Sequence, residues 1–273
     1  MTSLISWVGA DSRGPSSVYF ASDSRITWLG AGKWDHGRKL FACRRYPHIF
    51  GYCGDVLFPT QTLSQIAEMI DSGLVAADPF DSIDSYTEKI VAIIETALNT
   101  YPQPTKQKFD VLYCIREGEF MQSRFHLRQI TFDQVSGTKV LPIEVPNQSR
   151  TMAVLGSGSK CVRDQLQLWE SSQVGGTSRS VFSAFCDALR SGNDPLSGGP
   201  PQLIGLRRMS PPKTFGVIWQ QRRYFYGLEA SVSAAQNGVH WFNDLFEICD
   251  PETRERTLDA QPQPRPNLTT ERN

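Results

Sequence analysis

The reading of this chain turns on its first stretch, Met1-Thr-Ser-Leu-Ile-Ser-Trp-Val-Gly-Ala-Asp-Ser-Arg-Gly-Pro-Ser-Ser-Val-Tyr-Phe-Ala-Ser-Asp-Ser-Arg25. Two apolar segments, Leu4 to Gly9 and Val18 to Ser22, flank the turn chemistry of Ala10-Asp-Ser-Arg-Gly-Pro15, which predicts a β-hairpin. Thr2 is small, so methionine aminopeptidase is expected to remove Met1 and expose threonine. Such a terminus carries a hydroxyl nucleophile beside a free α-amine, whose pKa of about 7.7–8.0 suits a general base near neutral pH.

Outward from the hairpin, a second strand pair is expected from Arg38 to Cys43 and His48 to Cys53, around Tyr46-Pro47. The period then changes. Leu63, Ile66, Ala67 and Ile70 form a helix stripe for which Thr60 is the expected cap, and Ile83, Tyr86, Ile90 and Ile94 form another. Alternation returns at Phe109, Val111, Tyr113 and Ile115, with further strands to Leu155. Gly156-Ser-Gly-Ser159 leads into a third helix bearing Val162, Leu166 and Trp169; Phe182, Phe185 and Leu189 mark a fourth, with Gly192 as its left-handed cap. Strands follow at Gln202–Leu206, Thr214–Trp219 and Tyr224–Leu228. Trp241, Phe242, Leu245 and Phe246 suggest a short final helix, and the proline-rich chain from Pro251 is expected to be disordered.

Each helix has one apolar stripe and covers one side only. Two antiparallel sheets stacked face to face, with a helix pair outside each, would bury every stripe. The expected fold is therefore α+β, a four-layer αββα sandwich over residues 2–231. A helical extension (232–249) and a disordered tail (250–273) follow.

Composition narrows the function. The 273 residues carry 28 basic and 28 acidic side chains, with no net charge, which gives no reason to expect a nucleic-acid or anionic-membrane partner. The six cysteines lie far apart without CxxC, and read as reduced thiols of a cytoplasmic protein. His36, His48, His126 and His240 show no metal-ligand spacing, so neither metal nor cofactor is expected. No apolar run reaches membrane-spanning length.

Five further features fall in order with Thr2. They are Ala21-Ser-Asp-Ser-Arg25, Gly37-Arg-Lys-Leu40, Gly51-Tyr-Cys-Gly-Asp55, Gly156-Ser-Gly-Ser159 and Asp194-Pro-Leu-Ser-Gly-Gly199. Taken singly each has a plainer reading. Asp23 and Lys39 could be a surface ion pair, Gly156–Ser159 a phosphate cradle, and Cys53 and Cys161 packing residues. Together the chain resembles the proteasome β-type subunits and the bacterial proteasome-like peptidase, of the N-terminal-nucleophile hydrolase family. The resemblance spans Thr2 to Leu228. Departures are residues 10–16, an expanded strand region at 118–150 and the C-terminal extension.

The resemblance implies a threonine-type peptidase with Thr2 Oγ as nucleophile and its α-amine as base. Lys39 would stabilise the neutral amine and the developing alkoxide, and Asp23 would hold Lys39 charged. Ser157, Asp194 and Ser197 would surround the amine, and the Gly54 N–H would face the oxyanion, glycine being expected there so that no side chain crowds the substrate. Thr27 and Tyr52 would contact substrate, Tyr52 making the primary pocket shallow and favouring small side chains. Partners implied are peptides or unfolded proteins, further copies of the chain in a homo-oligomer or ring, and an unfolding ATPase. Two alternatives stay open: an amidase acting on a small amide, and a silent scaffold subunit.

Overall fold

The computed structural model describes residues 2–28, 30–75, 82–102, 108–133, 135–231 and 238–266. The hairpin comes first, β1 (Leu4–Asp11) and β2 (Gly14–Ser22), with Gly14 at φ +97° in its turn. A short arm of β3 (Ile26–Trp28) and β4 (Gly32–Trp34) precedes β5 (Leu40–Ala42) and β6 (His48–Gly54). Helices α1 (Leu57–Asp71) and α2 (Ile83–Thr100) follow. Next come β7 (Phe109–Glu117), β8 (Arg124–Asp133), β9 (Gly137–Ile143) and β10 (Arg150–Leu155). The second helix pair is α3 (Ser159–Glu170) and α4 (Ser178–Ser191). Strands β11 (Gln202–Arg207), β12 (Lys213–Trp219), β13 (Arg222–Phe225) and β14 (Leu228–Glu229) lead to β15 (Trp241–Phe242) and β16 (Ile248–Cys249).

One sheet runs β10-β1-β2-β11-β12-β13-β14, with β15 and β16 attached through β12; the other runs β5-β6-β7-β8-β9. Every pair is antiparallel except β12 with β15. Three large clusters of buried side chains, among the described residues, follow from strand alternation, and a small fourth joins Ile218, Trp241 and Cys249. Leu63, Ile66 and Ile90 of the first helix pair pack with Phe50, Val111 and Tyr113 of the five-stranded sheet. Val162, Phe182 and Phe185 of the second pair pack with Ile5, Trp7 and Leu203 of the larger sheet. Between the sheets, Leu4, Phe20 and Ile204 meet Ile49, Leu112 and Leu127.

Several local expectations are corrected. Thr60 does not cap α1; it lies inside the helix, three residues beyond Leu57, and its hydroxyl bonds the Tyr52 hydroxyl at 2.6 Å. The strand expected at Tyr224–Leu228 is broken into β13 and β14 by Tyr226 and Gly227, at φ 51° and 82°. The helix expected over 241–246, and with it the helical extension, is replaced by β15 and β16. Gly216 leaves space for the Trp241 indole, while its N–H bonds the His240 carbonyl, so the segment adds to β12 as a strand. Phe246 then stacks on Phe242 with ring centres 4.6 Å apart.

Nor is the proline-rich segment loose where it is described. Gln263 is buried and its N–H bonds Glu247 Oε1, and Arg265 bridges Asp187 and Asp244. Proline disfavours helix and central-strand interiors, yet these contacts hold the segment to α4 and to the 244–247 turn without regular structure. Residues 232–237 of the expected extension and 267–273 of the expected tail lie outside the described residues.

His48 shows what burial does to a titrating group. Its ring lies against Tyr86 and Tyr113, with Nδ1 2.8 Å from the Tyr113 hydroxyl, and burial pushes its pKa down to about 3. An unfolded histidine takes its proton near pH 6.5, so below about that pH the unfolded state binds more protons and stability falls as pH drops. His48→Gln is expected to flatten the decline in unfolding free energy between roughly pH 6 and 4 by about 1.4 kcal/mol per pH unit. Denaturant titrations across that range check this; parallel curves for the two proteins would refute it.

Candidate active site

The hairpin register sets Leu4 opposite Ser22, so the chain entering β1 meets the chain leaving β2. There the Asp23 N–H bonds the Ser3 carbonyl at 3.1 Å, and the Ser3 N–H bonds Asp23 Oδ1 at 3.0 Å. Lys39, just before β5, reaches the same place. Its Nζ lies 2.7 Å from Asp23 Oδ1 and 2.6 Å from the Arg25 carbonyl oxygen. Asp23 and Lys39 are both fully buried, which removes the surface-pair reading. Burial pushes the Lys39 pKa below the usual lysine range, and the Asp23 charge opposes that shift. The second Asp23 oxygen takes the N–H groups of Arg25 and Gly198 at 3.1 and 3.0 Å.

The loop before α3 clasps the start of β1. The Thr2 nitrogen bonds Ser157 Oγ at 3.2 Å, and the Thr2 carbonyl accepts from the Gly158 N–H at 3.4 Å. Glycine is required at 156, and at 158 it leaves the serine hydroxyls in place. A Cβ on Gly156, which sits at φ +89°, would stand 1.9 Å from the Thr2 carbonyl oxygen; one on Gly158 would stand 1.9 Å from Ser3 Oγ. Asp194 then ties the shell together. Its Oδ2 accepts from Ser157 Oγ at 2.9 Å and Ser197 Oγ at 2.7 Å, and Ser3 Oγ bonds Ser197 Oγ at 2.9 Å. Thr2, Asp23, Lys39, Ser157, Asp194 and Ser197 therefore lie in one continuous hydrogen-bonded cluster.

Three sequence expectations fare differently. Gly54 ends β6 at φ +109°, but a Cβ there would meet the Lys108 carbonyl at 2.5 Å, so the β7 backbone rather than crowding of a substrate demands glycine. Tyr52 is fully buried between the sheet and α1, its hydroxyl within hydrogen-bonding distance of Thr60 Oγ1 and the Arg38 carbonyl. It fills the layer rather than lining an open pocket. Thr27 lies on β3 with its hydroxyl buried and without a hydrogen-bond partner among the described residues.

Three participants were not foreseen. Ser3 links the Asp23 pair to the serine shell. Arg25, inside the quoted Ala21–Arg25 motif, pairs with Asp35 at 2.7 Å and holds the Ser197 carbonyl at 3.2 Å. Gln202, fully buried in an apolar strand, donates to the Asp23 and Gly37 carbonyls and accepts the Lys39 N–H. A lone amide in such a strand was the readable signal. Cys53 borders the site, but burial pushes its thiol up to about 12, and it acts as a packing residue. Among the described residues no group of three or more His, Cys, Asp or Glu side chains is placed to hold a metal ion.

Removing one partner of a buried pair leaves the other charge uncompensated, at about 3–5 kcal/mol. Lys39→Met and Asp23→Asn are each expected to lower unfolding free energy on that scale. The double variant should lose at least about 1 kcal/mol less than the sum of the two. Additive losses in chemical denaturation would show that the pair is not coupled.

No protein-family model and no curated protein matches the sequence. Among solved structures the chain is similar to eukaryotic HslV from Trypanosoma brucei, at 12% identity and a TM-score of 0.47 over 75% of this chain and 99% of that one. A likeness so remote carries no functional argument.

Proposed function

We propose that the chain is a threonine-type peptidase of the N-terminal-nucleophile kind, built as a four-layer αββα sandwich. The carrying observation is the joint placement of the Thr2 nitrogen on Ser157 and of the neighbouring Ser3 N–H on the Asp23 carboxylate that holds Lys39. The three large buried clusters, each between successive layers, support the sandwich.

The proposal requires removal of Met1. The freed amine then takes the Thr2 hydroxyl proton, directly or through one water, and Oγ attacks the substrate carbonyl carbon. Lys39, beside the amine, disfavours its protonation and stabilises the developing alkoxide. A unit charge at about 4 Å contributes on the order of 4 kcal/mol at an effective dielectric near 20, before competing terms. The Gly54 N–H receives the tetrahedral oxyanion, a contribution of about 3–4 kcal/mol. The peptide C–N bond breaks as the amine returns its proton to the leaving nitrogen, and water hydrolyses the resulting ester. Ser157, Asp194 and Ser197 orient the amine throughout.

A cytoplasmic homo-oligomer acting on peptides or unfolded protein is the setting this reading implies, with an ATPase as the partner that would supply unfolded chains. The resemblance sets Tyr52 at the primary pocket, and since it fills the layer between the sheet and α1, only small substrate side chains would fit there.

Intact mass is expected to show Met1 absent. A threonine-directed β-lactone or epoxyketone probe is expected to label the wild type and not Thr2→Ala. Labelling that persists in Thr2→Ala refutes the mechanism, and a wild type that retains Met1 and stays unlabelled favours a scaffold role. Separately, a peptide panel is expected to show faster cleavage after alanine or serine than after phenylalanine. The reverse order would remove the small-pocket reading.

A further inference from the structure

Beside Thr2 the layer between the sheets changes from apolar to polar. Strand β6 ends at Cys53 and Gly54, and β7 places Asp110 opposite Cys53 and Phe109 opposite Gly54. Alternation along β7 sends Phe109, Val111 and Tyr113 toward α1 and α2, and Leu112 and Cys114 into the core between the sheets. Asp110 shares the face of Leu112 and Cys114. On β8, Phe125 and Leu127 belong to the same inter-sheet core and are followed on that face by Gln129 and Thr131. Leu4 is in that core too, and Thr2 precedes it by two residues along the extended chain. Thr2 and Asp110 thus stand at one end of one layer. Cys53 neighbours both: it stands opposite Asp110, and a Cβ on Gly156 would touch the Thr2 carbonyl and, at 3.5 Å, Cys53 Cβ.

Asp110 is held in place but left half-used. Its Oδ1 accepts from Gln129 Nε2 at 3.0 Å and Thr131 Oγ1 at 2.5 Å. Its Oδ2 has no hydrogen-bond or ion-pair partner among the described residues, and all three side chains keep partial solvent exposure. The next cation in the row, Lys139, sits opposite Thr131 on β9 and is exposed, about two strand spacings or ~9.6 Å away. Lys108 is engaged with Asp133. After burial itself, the Asp110 charge is the largest influence raising the Cys53 pKa, in keeping with their closeness. A fixed carboxylate with one oxygen unpartnered among the described residues, at the partly exposed end of the inter-sheet layer, is preorganised for an ammonium or guanidinium.

We propose that Asp110 is a specificity-determining residue of the Thr2 site, receiving a lysine or arginine side chain of a bound peptide close to the bond presented to Thr2. This rests on the peptidase reading, and it adds a substrate class to it: peptides with a cationic residue flanking a small one.

The test separates the two claims by measuring binding without turnover. Thr2→Ala protein is titrated into fluorescent short peptides that differ only by Lys, Gln or Glu at successive positions. At one position the Lys peptide is expected to bind about tenfold more tightly than its Gln counterpart, the scale of one charge-assisted hydrogen bond. That margin should shrink with added salt. Adding Asp110→Asn, which keeps an oxygen for Gln129 and Thr131, should abolish it, and Asp110→Lys should favour the Glu peptide. Equal binding of Lys and Gln peptides, no peptide binding, or a preference that survives Asp110→Asn overturns the proposal. Thr2-dependent cleavage without charge preference would leave the peptidase reading standing alone. Lys-selective binding by a protein that cleaves nothing would do the opposite.

Discussion

The buried pair of Asp23 and Lys39 is the constraint on which the site depends. Two charges taken from water cost several kcal/mol each, and their attraction offsets this only when the remaining hydrogen-bonding positions are filled. Here they are filled by backbone. Asp23 takes N–H groups from Ser3, Arg25 and Gly198 besides Lys39, and Lys39 donates a second time to the Arg25 carbonyl. These contacts come from four separated stretches of chain. Satisfying one ion pair therefore brings the entry to β1, the exit of β2, the segment before β5 and the loop before β11 to one point.

Around that point the chain is braced from outside and threaded from within. Arg25 turns away from the pair to hold Asp35 and two carbonyls of the 194–199 loop, while Gln202 ties the Asp23 and Gly37 carbonyls from the neighbouring strand. The loop before α3 closes on the first residues of β1, which only glycine at 156 permits and which glycine at 158 allows without displacing Ser3 Oγ. What results is a hydrogen-bonded run from the Thr2 nitrogen through Ser157, Asp194 and Ser197 to Ser3. A proton-accepting nitrogen at Thr2 would be oriented by groups that are themselves held, and that preorganisation is what nucleophilic catalysis needs. The position at the end of the inter-sheet layer matters too. The apolar core behind excludes water, and the polar face ahead, from Asp110 to Thr131, stays open to solvent.

Much of this was legible in the chain because it is local. The stripes over 63–70 and 83–94 and the left-handed Gly192 at the end of α4 depend on neighbours a few residues away, and the structure carries them. The polar residues of the cluster were legible by type and order, since a lysine, two aspartates and serines beside glycines interrupt otherwise apolar or turn-forming stretches. Local pattern failed where a distant surface made the decision. Trp241 to Phe246 have helical spacing, yet the gap over Gly216 and the free side of β12 draw the segment into a strand. The prolines after 250 suggest a loose tail, yet acids on α4 and at Asp244 hold Arg265.

The sequence by itself determined the order of elements, the apolar faces that make a helix and sheet assembly necessary, and the residue types gathered beside Thr2. Each of these follows from periodicity or from side-chain chemistry within a short window. Only the tertiary structure decided that Asp23 and Lys39 are wholly buried, and that Gly54 answers to the β7 backbone. It alone made Tyr52 fill the layer, Ser3, Arg25 and Gln202 complete the network, and Gln129 and Thr131 fix Asp110 opposite Cys53. The physical reason is that burial, close approach and hydrogen-bond partnership are properties of pairs of surfaces brought together by folding, and no single stretch of chain contains both members of the pair.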